Sequence, residues 1–355
     1  MIDALIIGGG IAGTSLGAQL APHMKVVLLE AEPLLGYHAS GRSAALFEET
    51  YGLPSTVALN RASRDVHFAM GTTSPRGLML LDSGDTDAFE HDLKIMEMTE
   101  ISAEEARAKV PILNPNIVRR AGYHAEAWDL DTDKIIQTFA REIRANGGDV
   151  LPNTTVSGIE KTPNGWVVHT VKDNHEARLI CNAAGAWVDK IAAMAGVAPL
   201  GVTPLRRSMA RLAAPGGHDV RDWPMMFGPG ETWYAKPDAG ALLVSPAEED
   251  RSEPMDAWPH DEVLAEGLAR YEAVMTEPVT RPIASWAGLR TFTPDRNLAI
   301  GFDAKEPGFF WQAGQGGYGF QTSPAAARLG ADIILGRPSE LDADTVAQLD
   351  PARFS

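Results

Sequence analysis

The chain has 355 residues, 45% apolar and 22% charged with 34 glycines, a composition that excludes disorder, collagen and coiled coil. That length is roughly two domains. Acidic side chains outnumber basic ones 47 to 31, for a formal charge of −16. With no local basic cluster such a surface repels polyphosphate, so no nucleic acid partner is expected. Apolar runs such as Ala4–Ile7 and Val26–Leu29 fall far short of the ~20 residues of a membrane span. The N-terminal Met-Ile-Asp enters a strand-like segment without a basic stretch or cleavage site. No signal peptide and a cytoplasmic location are therefore expected, which leaves the Asn153-Thr154-Thr155 sequon without meaning. One cysteine, Cys181, excludes an intramolecular disulfide and a cysteine-rich metal site.

In chain order, the first predicted unit is βαβ. Asp3–Ile7 reads as a strand, Gly8–Gly13 as a glycine turn, Thr14–Ala21 as a helix and Lys25–Leu29 as a second buried strand ending in Glu30. Gly8, Gly10 and Gly13 fit G-x-G-x-x-G. The first permits the tight turn, the second lets backbone approach a pyrophosphate, and the third lets helix pack closely on strand. Ile11 and Ala12 stand at the helix start, where free amides hold an anion. Glu30, followed by Ala31, lies 22 residues after Gly8, where a carboxylate accepts from ribose hydroxyls. An acid there favours NAD or FAD over NADP. The next segment, Gly36–Ala45, is rich in small and hydroxyl residues around Arg42 and favours FAD, since an NAD domain would usually enter a third strand here.

Between residues 50 and 128 the pattern is irregular, with a strand at Gly77–Leu81 and a capping box, Ser102-Ala-Glu-Glu105, opening a helix. Asp129-Leu-Asp-Thr-Asp133 imitates half a calcium loop, but Lys134 replaces the required glycine and Ala140 the bidentate glutamate. The segment instead precedes a predicted helix over Thr132–Ala145. Residues 145–159 read as helix end, turn and strand, and Arg178–Trp187 as a strand entering a glycine turn. Strands are predicted at Arg207–Ala213, Glu231–Lys236 and Ala241–Ser245, then a helix near Asp261–Val274. A second glycine cluster, Gly314–Ser323, precedes an alanine-rich helix over Pro324–Leu335. The nine histidines are dispersed, so no metal site is proposed. No G-x-S-x-G or repeat is present.

Taken together, Ile6–Glu30, Gly36–Ala45, Asn182–Trp187, Arg206–Ser208, Asp222–Pro224, Tyr234–Gly240, Trp286–Phe292 and Gln315–Ser323 resemble the D-amino-acid oxidase family of FAD-dependent oxidoreductases. The chain is most similar to its bacterial D-arginine/D-amino acid dehydrogenases. The resemblance implies an α/β fold, a Rossmann-like FAD-binding domain interleaved with an α+β substrate domain on a mostly antiparallel sheet. Residues 1–50, 130–205 and 286–355 fall to the first domain, and 51–129 with 206–285 to the second. It places FAD against Gly8, Gly10, Ile11, Ala12, Gly13, Glu30 and Ala31, then Ser40, Arg42, Ser43 and Ala44. Further contacts are implied from Val156, Gly185, Trp187 and Arg290, and from Gly316, Gly317, Tyr318, Gly319, Phe320 and Gln321. The family's covalent branch uses a cysteine near the C-terminal glycine cluster. Cys181 lies elsewhere, so noncovalent FAD is expected.

An amino acid substrate needs a carboxylate clamp, and a planar guanidinium in apolar company suits that task. Arg290 is the candidate, with an ion pair between elements as its structural alternative. The resemblance implies that Tyr234 completes the clamp and that Arg207, Tyr51, Gly317 and Gln321 line the pocket. Strand alternation admits only one of Arg206 and Arg207. The family's acid for basic substrates is missing from the strand at Arg76–Asp82, and Leu46 replaces its lid histidine. Glu48 or Glu49 stands near enough in sequence to Tyr51 to supply the charge; two solvated loop acids are the alternative. The expected activity is oxidative deamination of a D-amino acid with no obligatory side-chain base. A secondary-amine or N-methyl amino acid oxidase, such as a sarcosine or glycine oxidase, is the close rival. The electron acceptor, a quinone or O2, stays open.

Overall fold

The structure, a computed structural model, describes all 355 residues. Its first framework is an eight-stranded mixed sheet. Ile2–Ile7 lies at its centre, parallel to Val26–Leu29 on one side and Asn174–Asn182 on the other. Asp149–Leu151 extends the first side, in parallel. The early half of Asn174–Asn182 pairs with Gly165–Thr170, and its last three residues with Phe309–Ala313. These central strands are apolar because both faces are covered. Helices Ile11–Leu20, Thr132–Ala145 and Gly319–Leu335 pack together on one face.

Thr132–Ala145 forms where predicted. Ile135, Ile136, Phe139 and Ile143 bury one stripe, and the Asp131 carboxylate accepts from the Lys134 amide at 3.0 Å to cap it. The calcium-loop imitation is therefore a helix start. Asp129, just before it, accepts from Arg76 Nη2 at 2.6 Å and Lys236 Nζ at 2.8 Å. The predicted capping box is also present: Ser102 Oγ accepts from the Glu105 amide at 3.2 Å, and Glu105 accepts from the Ser102 amide at 2.8 Å.

The second framework is a nine-stranded, mostly antiparallel sheet. Its spine is Thr203–Leu212, paired along one edge with Ala284–Phe292 and along the other with Ala241–Ser245 and Asp250–Arg251. Tyr234–Asp238, Met225–Phe227, Leu78–Leu81, Arg120–His124 and Thr99–Ser102 continue it. The boundaries drawn from sequence at 205/206 and 286 cut through Thr203–Leu212 and Ala284–Phe292. Both strands belong to this sheet, so residues 286–292 do not lie in the first framework. A small sheet, Leu46–Glu48, Ala127–Leu130 and Thr73–Pro75, connects the layers.

Helix Gly319–Leu335 starts five residues before the predicted Pro324, which it carries in its interior. Proline has no N–H and obstructs the helix bond to the residue four earlier. The freed Phe320 carbonyl accepts from Ser323 Oγ at 2.8 Å, and the Ala325 amide donates instead to Ser63 Oγ at 3.1 Å. That leaves the Gln321 carbonyl to accept from His67 Nε2 at 3.1 Å. Ser63 and His67 both lie on helix Pro54–Ala69, which is thereby stitched to the C-terminal helix.

His67 is fully buried, and burial lowers its pKa from 6.5 to about 4. The unfolded chain binds this proton first as pH falls. Stability is thus complete above pH 6.5 and lost on the way down to about pH 4. The loss is of order 3 kcal/mol. His67→Gln, which keeps a donor but does not titrate, is expected to abolish that part of the acid loss, read from urea midpoints of both proteins across this pH window.

Candidate active site

A cavity of about 560 Å³ takes its wall from both frameworks, within the size range of cofactor and ligand sites. At the nucleotide side, Gly8 adopts φ +114°, and a Cβ there would lie 2.4 Å from the Ala183 carbonyl oxygen. A Cβ at Gly13 would lie 2.0 Å from the Gly8 carbonyl oxygen. Gly13 therefore sits behind the cavity wall, packing helix on turn, and is not a lining residue. Gly10 ends the turn with no side chain to cap helix Ile11–Leu20, and the Ile11 amide donates to Ser40 Oγ at 3.1 Å. The Glu30 carboxylate accepts from the Gly9 amide at 2.7 Å and the Glu32 amide at 2.8 Å. Burial pushes its pKa up, and those two hydrogen bonds draw it back. Ile11, Ala12, Ala31, Ser43, Ala44, Val156, Gly185 and Trp187 join the wall. An open helix terminus, glycines with no room for a side chain and a pinned acid fit a dinucleotide.

Two expected contacts behave differently. Arg42 lines the cavity, but its Nη1 donates to the Ala257 and Ala287 carbonyls, both at 2.8 Å, and its Nη2 pairs with Asp256. A half-buried cation is thus satisfied by protein, so Arg42 joins two wall segments instead of presenting a free fork to phosphate. Tyr318 stands off the wall, its ring centroid 5.4 Å from that of Tyr51, and buttresses it. Gly316, Gly317, Gly319, Phe320 and Gln321 do line the cavity. The Gln321 amide, however, is occupied by backbone: its oxygen accepts from Glu48 N at 3.3 Å and its nitrogen donates to the Tyr51 carbonyl at 3.4 Å.

On the antiparallel side, register decides which side chains meet. Arg207 pairs with Gly288 and Leu205 with Arg290, so Arg207 and Arg290 project to one face and Arg206 to the other. Arg206 is buried against His260, with Nη1 2.6 Å from Nε2. Arg290 Nη2 donates to the Tyr51 hydroxyl at 3.3 Å. The tyrosine touching Arg290 is therefore Tyr51, while Tyr234 lies beneath the Arg207 guanidinium at 5.9 Å. Gly317 makes room for Arg290: a Cβ there would fall 1.6 Å from Nη2.

Glu249 gave no sequence signal beyond being one of many acids, yet it is shared by three arginines. It stands 3.7 Å from Arg290, 3.4 Å from Arg207 and 2.8 Å from Arg296. Burial opposes its ionisation, but Arg296, Arg290 and Arg207 hold its carboxyl below the usual range. Glu231 also bears on Arg290 and Glu248 on Arg207, so three guanidiniums here face three carboxylates. Also missed were Glu231, at φ 52° in a Pro-Gly-Glu turn, and the apolar wall that Met96, Met225 and Phe227 form with Leu46 and Leu78. These come from separated strands and turns with no motif of their own. Of the two candidate acids, Glu48 is buried on the wall, and Glu49 faces Arg61 at 3.2 Å. Cys181 is fully buried within the first sheet opposite Phe310, so it offers the C-terminal glycine cluster no thiol.

Residues 3–333 match the FAD dependent oxidoreductase (DAO) family, and the chain belongs to it. It is therefore an FAD-dependent oxidoreductase. It is 24% identical over 404 residues to FAD-dependent oxidoreductase domain-containing protein 1 of Xenopus laevis, covering 94% of this chain and 79% of that one. The fold superposes on L-proline dehydrogenase from P. horikoshii with a TM-score of 0.84 at 24% identity, covering 99% and 97% of the two chains. Against glycine oxidase from Geobacillus kaustophilus the TM-score is 0.82 at 20% identity, with 97% of each chain covered. No helix is long and apolar enough to cross a membrane.

Gly317→Ala is expected to displace the Arg290 guanidinium while FAD stays bound. Titration of the flavin spectrum with small carboxylates checks this, with affinity weakened roughly tenfold or more, about 1.4 kcal/mol.

Proposed function

We propose that the protein oxidises the Cα–N bond of a D-amino acid, yielding an imino acid that water hydrolyses to a 2-oxo acid and ammonia. The observation that carries this reading is Arg290, half-buried on the wall beside Tyr51 and Gly317, its guanidinium hydrogen-bonded to the protein only through the Tyr51 hydroxyl. Arg290 holds the substrate carboxylate in a bidentate fork. The Tyr51 hydroxyl accepts from Arg290 and keeps its own proton, which Glu231 also approaches, for donation to a carboxylate. Burial raises the Tyr51 pKa, so that proton stays in place. Arg207 and Tyr234 close the adjoining wall. Bound FAD supplies the two-electron acceptor for the Cα hydride. Leu78, Met225 and Phe227 exclude water and keep the amine close to that acceptor. The amine reacts in its neutral form, and no side chain of the wall is assigned as its base.

A second reading is oxidation of a secondary amine or N-methyl amino acid. Its support is the fold shared with an L-proline dehydrogenase and a glycine oxidase. Both readings use the same clamp.

Arg290→Met is expected to raise KM by orders of magnitude with FAD retained, measured by steady-state kinetics and by the flavin content of the purified protein. Unchanged kinetics remove the clamp. An anaerobic panel of D-, L- and N-methyl amino acids, scored by flavin bleaching, separates the two readings. Bleaching by sarcosine or proline but by no primary D-amino acid selects the second.

A further inference from the structure

Lys236, on the strand Tyr234–Asp238, is 7% exposed, a state that lysine rarely adopts unless paired. Strand alternation turns it to the same face as Tyr234. Its Nζ donates to Asp129 Oδ1 at 2.8 Å and to the Ala45 carbonyl at 3.2 Å. The other Asp129 oxygen, Oδ2, accepts from Arg76 Nε at 2.8 Å and Nη2 at 2.6 Å. Arg76 Nη1 in turn donates to the Arg221 and Trp223 carbonyls at 2.6 and 2.8 Å. Two neighbouring acids are engaged elsewhere: Asp131 caps the helix Thr132–Ala145, and Asp238 lies 3.3 Å from Arg211 Nη2. Asp129 therefore keeps a guanidinium even without the lysine. What the lysine alone supplies is a charge-assisted bond to one backbone oxygen.

That oxygen belongs to a strained residue. Ala45 has φ +25°, a conformation that a side chain disfavours and that persists only where the surroundings impose it. Three hydrogen bonds do so. The Ala45 amide donates to Ser43 Oγ at 3.1 Å, and its carbonyl accepts from the Leu130 amide at 3.3 Å as well as from Lys236. Ser43, Ala44, Ala45 and Leu46 all line the cavity. They span the stretch between Arg42, which ties two wall segments, and the strand Leu46–Glu48. A change of backbone at Ala45 therefore moves the wall itself.

We propose that Lys236 is a positioning residue for FAD: its ammonium fixes the Ala45 carbonyl, and with it the positive-φ turn that shapes the Ser43–Leu46 wall. A binding-competent wall that is populated only part of the time weakens affinity by that fraction. Glycine takes positive φ at no steric cost, so Ala45→Gly is expected to make the turn independent of the lysine.

The dissociation constant of FAD, read from the flavin fluorescence released on diluting the holoprotein, is compared for wild type, Lys236→Met and the double variant Lys236→Met/Ala45→Gly. Methionine keeps an unbranched stem and removes the ammonium. Lys236→Met is expected to weaken FAD binding ~10-fold, about 1.4 kcal/mol, and the double variant to recover most of that loss. Wild-type affinity in Lys236→Met overturns the inference. So does an equal loss in both variants, the result for an ion pair that merely stabilises the fold. Where Lys236→Met yields no soluble protein, soluble holoprotein from the double variant supports the inference, and its absence overturns it. No substrate enters these measurements, so their outcome is independent of which amine the protein oxidises.

Discussion

A guanidinium taken out of water must find partners or leave the fold unstable, and the placement of Arg290 organises the substrate side of this protein around that requirement. It has one tyrosine hydroxyl at hydrogen-bond distance and a carboxylate at 3.7 Å that two other arginines also claim. Glu231 bears on it as well, so a ring of acids and arginines holds it in place. Removing the Gly317 side chain to hydrogen alone is what lets the guanidinium reach this position. The strand pairing that aligns Arg290 with Leu205 also turns Arg207 into the cavity and buries Arg206 on the opposite face.

The nucleotide side works by a different economy of space. Gly8 and Gly13 are close-packing devices, with backbone oxygens 2.4 and 2.0 Å from where a Cβ would stand. Their tightness brings helix Ile11–Leu20 onto the end of the central strand, so the helix amides and the Glu30 carboxylate border one cleft. Electrostatics at the two ends of the cavity are thus opposite in origin. Backbone dipoles act at one end and side-chain cations at the other.

Sequence reasoning saw furthest where chemistry is local. The glycine turn, the acid at Glu30, the helix over Thr132–Ala145 and the capping box at Ser102 are each decided within a few residues, and all are present. It saw less where partners are distant. Pro324 reads as a helix start by its own preference, but Ser63 and His67, some 260 residues earlier, accept and supply the rerouted hydrogen bonds that keep it inside a helix. Glu249 carries no pattern that marks it as the hub of three arginines. Arg42, set among small residues, reads as a cofactor contact; only the fold reveals the carbonyls of Ala257 and Ala287, over 200 residues away, that engage it. The sequence boundary at residue 286 divides strand Ala284–Phe292 for the same reason, since pairing partners are not written in a strand.

That the cavity wall is drawn from both large sheets ties ligation to architecture. An occupant touching both surfaces acts as mortar between them, and its binding free energy becomes cohesion of the two layers. At a hundredfold excess over Kd this cohesion is about 2.7 kcal/mol, a sizeable share of the stability of an ordinary domain. The protein without an occupant is then the softer one along this seam.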